Sequence, residues 1–140
     1  MNKENDRVPN WRQHIMRGLF LLNFIALAFD SWTEVIAGAL PVDIYPSVAV
    51  SFWAAFSLLN LIGVMNPLRF IPILMLQLLY KAAWLLGNYR PAYFSGELTA
   101  GQEEFFWICV AGVVLNLLII PWKYTWNHFI KYQRISTSKS

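Results

Sequence analysis

Charged residues are scarce in this sequence of 140 residues, because they make up only 14% of it, against about 25% in ordinary soluble proteins. Apolar residues reach 57%. A soluble four-helix bundle of this length would show one apolar stripe per helix and a polar outer face. The scarcity of charge therefore excludes an ordinary soluble domain and indicates helices whose outer faces meet lipid.

Cysteine occurs once, at Cys109, and histidine twice, at His14 and His128. A single cysteine excludes an intramolecular disulfide and a cysteine-based metal cluster, and we interpret Cys109 as a small packing residue of a helix. Both histidines fall near the predicted cytoplasmic edge, where solvated side chains are expected rather than metal or haem ligands. We predict no metal site and no cofactor.

The sequence also lacks the short motifs of common enzyme classes. It contains no GxSxG, HExxH, CxxC, Walker or dinucleotide-binding pattern, so hydrolase and nucleotide-driven chemistry have no support. A nucleic-acid-binding motif is missing as well. We therefore expect no nucleic-acid partner, although the net charge is +3.

What the sequence has instead is four long apolar runs, each near the ~20 residues that cross a ~30 Å hydrocarbon core. We predict an all-α fold: an integral membrane four-helix bundle, up-down-up-down, that forms a single membrane domain over residues 1–140. A cytoplasmic amphipathic tail helix, lying along the headgroups, completes the prediction. The predicted spans are residues 18–40, 48–65, 68–87 and 100–121, and the tail helix covers residues 122–134.

Proline and short polar residues mark the predicted helix ends. Pro41 is expected to stop helix 1, and the hydroxyl of Ser47 to cap helix 2. The pair Asn66-Pro67 leaves a very short turn between helices 2 and 3. Residues 88–104 are predicted as the one substantial loop, at whose end Thr99 and Gln102 fit a capping box that would start helix 4 near Ala100.

Basic residues outside the spans or at their ends predict the orientation. Nine of them fall on one side of the predicted membrane and only Arg90 on the other. Cytoplasmic loops carry the excess of lysine and arginine, so both termini and the turn between helices 2 and 3 are predicted to be cytoplasmic, in the cell (plasma or inner) membrane. The nine are Lys3, Arg7, Arg12, Arg17, Arg69, Lys123, Lys131, Arg134 and Lys139.

Three charged residues lie well inside the predicted spans, at least six residues from either end. Lys81 stands in helix 3, while Asp30 and Glu34 stand four residues apart, and so on one face, in helix 1. Asp30 and Lys81 lie 12 and 13 residues beyond the predicted starts of their helices, so their depths are similar. An unpaired charge at that depth costs about 2.5–3.5 kcal/mol on insertion scales, and we expect the lysine to meet a carboxylate.

Depth favours Asp30 as that partner, and a helical lysine leans toward its own N-terminus, which brings its ammonium nearer to Asp30. Glu34 is then left to stay protonated, to bind a cation or to meet a ligand. The alternative is that the charges serve only to fix helix packing.

Polar and small residues recur at helical spacing in every span and predict one polar centre. Helix 3 contributes Gln77, Lys81, Trp84 and Asn88, of which Trp84 is expected to form an aromatic wall or a cation–π partner. The other helices contribute Asn23, Trp53, Ser57, Asn60, Gly63, Gly112 and Asn116. From these we select as candidate ligand-binding residues Asp30, Glu34, Lys81, Gln77, Trp84, Asn60, Asn116 and Asn23.

Three functions are compatible with such a centre. The first is binding or transport of a small amphipathic or cationic molecule, in which transport would require a homodimer because four helices leave little room for alternating access. The second is a lipid- or isoprenoid-modifying enzyme that uses Asp30 or Glu34 as a proton donor. The third is a structural or assembly subunit. In all three the lipid bilayer is the surrounding partner.

The layout of four short-looped helices with an acidic first helix, carried by Asp30 and Glu34, resembles several small membrane families. Small multidrug transporters place a glutamate midway along helix 1. EXPERA-type four-helix proteins, which include sterol isomerases, pair intramembrane carboxylates with aromatic residues to hold cationic or sterol-like ligands, and DoxX-like bacterial proteins share the general size. The resemblance covers architecture alone, so no residue role follows from it.

Overall fold

The structure is a computed structural model that describes residues 7–131. It is 84% helical, and no strand occurs among those residues. Four helical segments are long and apolar enough to cross a membrane: Asn10–Ala37, Ile44–Met65, Ile71–Ser95 and Ala100–Ile119. The predicted all-α class and the four membrane-length helices are therefore confirmed.

The helices fall into two compact units. The first, residues 9–73, contains α1 (Asn10–Ala37) and α2 (Ile44–Met65) and is called the first hairpin below. The second begins at residue 74 and is called the second hairpin. It contains α3 (Ile71–Trp84) from residue 74 onward, α4 (Arg90–Ser95) and α5 (Ala100–Ile119), followed by α6 (Trp122–Thr125).

In the first hairpin, α1 and α2 run antiparallel. Asn23 of α1 meets Asn60 of α2, and further along α1 Trp32 meets the earlier residue Ser57. The close approach is possible because Gly63 has no side chain: a Cβ there would lie 2.6 Å from the ring of Phe20. Small residues at such contacts let membrane helices approach closely, here with the Phe20 ring against the Gly63 backbone.

Both predicted ends of α1 are wrong. Helix α1 begins at Asn10, directly after Pro9, and not at the predicted residue 18. It ends at Ala37 because Gly38 adopts the left-handed conformation (φ 65°), after which the Ala39 amide donates to the Glu34 carbonyl. Pro41 is therefore not the stop signal.

The start of α2 also differs from the prediction. The helix begins at Ile44, with Asp43 at the N-cap position. Ser47 lies inside the first turn, where its hydroxyl donates to the Ile44 carbonyl at 2.8 Å instead of capping the helix. A serine hydroxyl one turn into a helix finds a backbone carbonyl as readily as it finds an end amide.

The predicted loop over residues 88–104 is mostly helix. After α3 the chain passes through a π-helical turn, Leu85–Tyr89, and continues into α4, which Gly96 ends with φ 74°. The Arg90 amide donates to the Leu85 carbonyl, five residues back. This wider turn admits Pro91, which has no N–H of its own, without breaking the helix.

The connection to α5 is consequently short, and its capping box is confirmed. The Gln102 amide donates to the Thr99 hydroxyl at 3.3 Å, and the Thr99 amide donates to the Gln102 side-chain oxygen at 3.0 Å. The Gln102 side chain also donates to the Asn88 oxygen at 2.8 Å. The same glutamine thus caps α5 and ties it to the π-helical turn.

Beyond α5, the chain remains helical from Trp122 to Lys131, first as α6 and then as a second π-helical stretch, Trp126–Lys131. Trp122 and Trp126 are exposed, whereas Thr125 is buried. The predicted tail helix over residues 122–134 has its last three positions outside the described residues.

We expect Gly63→Ala to destabilise the first hairpin by about 1–3 kcal/mol, because the added methyl group overlaps the Phe20 ring and overpacking costs that much. Thermal unfolding in mild detergent measures the effect. The control is Gly18→Ala in α1, where a Cβ has no atom within 4 Å. Phe20→Leu should restore stability to the Gly63→Ala chain, and equal stability of the two glycine variants would contradict the packing described.

Candidate functional site

Two buried amides meet at the centre of the first hairpin. Asn23 donates to the Asn60 oxygen at 3.3 Å, and Asn60 donates in turn to the Phe56 carbonyl at 2.8 Å. Both side chains are buried. Amide pairs of this kind satisfy polar groups that hydrocarbon cannot satisfy, so the interaction also holds the two helices in register.

A second polar link joins the same helices. The indole N–H of Trp32 donates to the Ser57 hydroxyl at 3.1 Å, and Ser57 donates to the Ala54 carbonyl at 2.7 Å. Trp32 therefore links α1 to α2. Trp53, which the sequence placed on the same stripe as Ser57, is 37% exposed and stands apart from this contact.

The two predicted carboxylates lie near the far end of α1. Asp30 is exposed and Glu34 is half-buried. Within the described first hairpin, neither forms an ion pair. Two acidic side chains thus stand one turn apart on a membrane-length helix, with no basic residue of their own hairpin to neutralise them.

An apolar groove of about 870 Å³ lies on another side of α1, and sequence analysis did not predict it. Two of its lining residues carry polar side-chain atoms, and both are hydrogen-bonded within the protein. Trp32 donates to Ser57, and Thr33 donates to the Phe29 carbonyl. Neither Asp30 nor Glu34 contributes to the groove, whose lining is Phe24, Ile25, Ala28, Phe29, Trp32, Thr33, Ile36, Ala37 and Leu58.

The second hairpin contains its own polar cluster, formed by Gln77, Lys81, Gly112 and Asn116. All four are buried, and Asn116 is fully inaccessible. The Asn116 amide nitrogen donates to the Gly112 carbonyl at 2.7 Å and to the Gln77 oxygen at 3.3 Å. These are the residues that the helical spacing of helices 3 and 4 predicted to face one another.

Lys81 reaches across this cluster to α5. Its side chain lies over the bare backbone of Gly112: a Cβ there would overlap the ammonium nitrogen and come within 2.9 Å of Cδ. Gly112 therefore provides the notch that receives the lysine. No carboxylate of the described second hairpin forms an ion pair with Lys81.

The side-chain oxygen of Asn116 is buried and has no hydrogen-bond partner among the described residues. The other polar atom of that side chain, the nitrogen, donates to two acceptors. An unsatisfied buried acceptor costs about 1–3 kcal/mol. This oxygen is the chemical feature of the cluster that helical spacing could not reveal.

Aromatic rings extend the cluster toward the π-helical turn. Trp84, one turn beyond Lys81, packs edge-on against Phe105 with centroids 4.7 Å apart. Tyr89 stacks on Phe106 at 4.2 Å. Trp84 thus packs against an aromatic ring of α5, and its role beside a ligand stays a prediction. The Tyr89 contact was missed because residues 88–104 were predicted as a loop.

The remaining candidates are separate from both clusters. Asn88, on the Lys81 stripe, is exposed and bound to Gln102. His128 is exposed and stacks on Tyr124 at a centroid distance of 3.9 Å. Among residues 7–131, no three or more histidine, cysteine or acidic side chains are placed to hold a metal ion.

We expect Gly112→Ala to displace the Lys81 side chain and to destabilise the second hairpin by about 1–3 kcal/mol. Gly101→Ala, also in α5 but with no atom within 4 Å of its Cβ, is the matched control. Thermal unfolding compares the two in one detergent. Lys81→Ala removes the overlapping side chain, so adding it to Gly112→Ala should restore the stability that the overlap costs. A double variant as unstable as Gly112→Ala alone would contradict the packing of Lys81 against Gly112.

Within each hairpin, some of the predicted site residues meet. Asn23 and Asn60 meet in the first, and Gln77, Lys81 and Asn116 in the second, while the pairing of Asp30 with Lys81 stays a prediction. Comparisons of the chain with protein-family models, curated proteins and solved structures found no match. Its function has therefore to be inferred from these residues and their chemistry.

Proposed function

We propose that this chain is an up-down-up-down membrane protein that binds or transports a small amphipathic or cationic molecule at an intramembrane polar site. It would lie in the cell membrane with both termini cytoplasmic and with the helical residues from Trp122 onward along the headgroups. The exposed indoles of Trp122 and Trp126 beside Lys123 support that placement of the tail.

The observation that carries the functional proposal is the state of the three intramembrane charges. Asp30, Glu34 and Lys81 all lie in membrane-length helices, and none has an ion-pair partner within its own hairpin. Ionisable side chains at such positions mark ligand, ion or proton pathways by default. One lysine can neutralise only one of two carboxylates, which leaves a charge or a proton for a ligand to meet.

In the proposed site, Asp30 is the ionised partner of Lys81, and Glu34 is the group left for the ligand. Gln77, Asn60 and Asn116 orient the molecule, and Trp84 borders it. The hydrogen bond from Asn23 to Asn60 supports this arrangement, since it ties α1, which bears both carboxylates, to the α2 residue that would orient the ligand. Transport, as opposed to binding, would involve a homodimer, which native mass spectrometry in mild detergent would detect.

The orientation predicts unequal labelling of introduced cysteines from the two sides of the membrane. Glu97→Cys should react with an impermeant maleimide in intact cells, and Asn10→Cys only after permeabilisation, because basic residues keep the N-terminal side in the cytoplasm. Native Cys109 is buried and gives a low background. Reaction of Asn10→Cys in intact cells would contradict the orientation.

Because Asp30 and Glu34 have different proposed roles, their variants should differ in stability and in ligand binding. Asp30→Asn should lower stability by about 3 kcal/mol, because it strands the Lys81 charge. Glu34→Gln should leave unfolding in detergent nearly unchanged and reduce saturable binding of a photoreactive amphipathic probe. A more destabilising Glu34→Gln would reverse the assignment, and full binding by both folded variants would favour a purely structural role.

A further inference from the structure

We propose that the polar cluster of the second hairpin receives the hydroxyl group of a long-chain or ring-bearing alcohol, held between the Asn116 oxygen and the Lys81 ammonium. The inference rests on the proposed function, because it requires that a ligand enters the polar centre. It goes further in naming the ligand's class: a neutral amphipathic alcohol, in preference to a cationic head group.

The orientation of the Asn116 amide is fixed by its neighbours. Its nitrogen lies 2.7 Å from the Gly112 carbonyl oxygen and 3.3 Å from the Gln77 side-chain oxygen. Exchanging nitrogen and oxygen would bring two carbonyl oxygens to 2.7 Å, which is repulsive. The other amide atom is therefore an oxygen, and it is buried without a donor among the described residues.

Lys81 supplies the complementary donor at the same place on α5. Its ammonium lies on Gly112, one turn before Asn116, and the Gly112 carbonyl already accepts from the Asn116 nitrogen. An ammonium carries three N–H donors, so one bond to Asp30, as proposed above, leaves donors available. The cluster thus combines one acceptor without a donor and one cation able to donate.

Few functional groups complement both features. A hydroxyl donates one hydrogen bond and accepts others, so it can serve Asn116 and Lys81 together. An ether or a quaternary ammonium donates nothing and would leave the Asn116 oxygen unsatisfied. A protonated amine can donate, but its charge would stand close to that of Lys81, and like charges repel strongly where water is scarce.

The apolar body of the ligand has a suitable neighbour. Trp84 and Phe105 form an edge-to-face pair one turn along α3 from Lys81, and Tyr89 and Phe106 continue the aromatic surface. Flat aromatic rings accept alkyl chains or fused rings without demanding hydrogen bonds. An alcohol with its hydroxyl at Asn116 and its body along these rings would match both surfaces.

The test is competition in phosphatidylcholine nanodiscs that contain the full-length chain. A diazirine-bearing hexadecanol labels the protein on illumination, and mass spectrometry maps the label to peptides of α3 and α5. Unlabelled hexadecanol, its methyl ether and hexadecylamine then compete at rising mole fractions. The alcohol should compete about tenfold better than the ether, the difference that one unsatisfied buried hydrogen bond makes, and better than the amine.

Asn116→Leu removes the acceptor at nearly constant side-chain size. In that variant the alcohol should compete no better than the ether does, whereas Ala111→Leu, on the exposed side of α5, should keep the tenfold ratio. The ratio in the unmodified chain is decisive even if Asn116→Leu fails to fold.

Each other outcome overturns a defined part of the argument. Equal competition by alcohol and ether refutes the hydroxyl site and fits a bridging water at Asn116. Strongest competition by the amine refutes it as well but leaves the proposed function standing with a cationic ligand. If none of the three unlabelled compounds reduces the labelling, both the hydroxyl site and a lipid-like ligand are refuted.

Discussion

The constraint on which this fold depends is that hydrocarbon offers no hydrogen-bond partner. A polar side chain in a membrane-length helix must therefore find its partner within the protein. In the first hairpin, the Asn23 nitrogen binds the Asn60 oxygen, and the Asn60 nitrogen returns to its own helix at the Phe56 carbonyl. The Asn23–Asn60 bond favours one register of α1 against α2, so a sequence that is apolar nearly all round still specifies its packing.

Glycines determine how closely each pair of helices approaches. Gly63 admits the Phe20 ring in the first hairpin, and Gly112 admits the Lys81 side chain in the second. The two notches differ in what they hold. A ring in a glycine notch gains dispersion contacts and nothing more, whereas a lysine there is held at a chosen position with its charged end against the neighbouring backbone. The first notch therefore stabilises packing, and the second also positions a charge.

Much of this fold could be predicted because helical periodicity and hydropathy depend on local sequence. The four spans, the capping box of Thr99 and Gln102, and the stripe joining Gln77 to Lys81 all follow from spacing. The wrong predictions of helix ends have a common cause, because the alternative ends differ little in local energy. Gly38 ends α1 before Pro41 can, and the π-helical turn at Leu85–Tyr89 carries the helix past Pro91. Neither outcome can be read from the proline alone.

The site was predictable only to the level of which residues share a face. Spacing placed Gln77, Lys81, Gly112 and Asn116 on facing stripes, but it could not say which atoms of each amide would be used. That depends on distances such as the 2.7 Å between the Asn116 nitrogen and the Gly112 carbonyl. The amides of the first hairpin bond to one another and to backbone, whereas in the second hairpin one amide oxygen has no donor among the described residues. The first hairpin therefore uses its amides to join two helices, whereas the second also leaves one buried acceptor without a donor among the described residues.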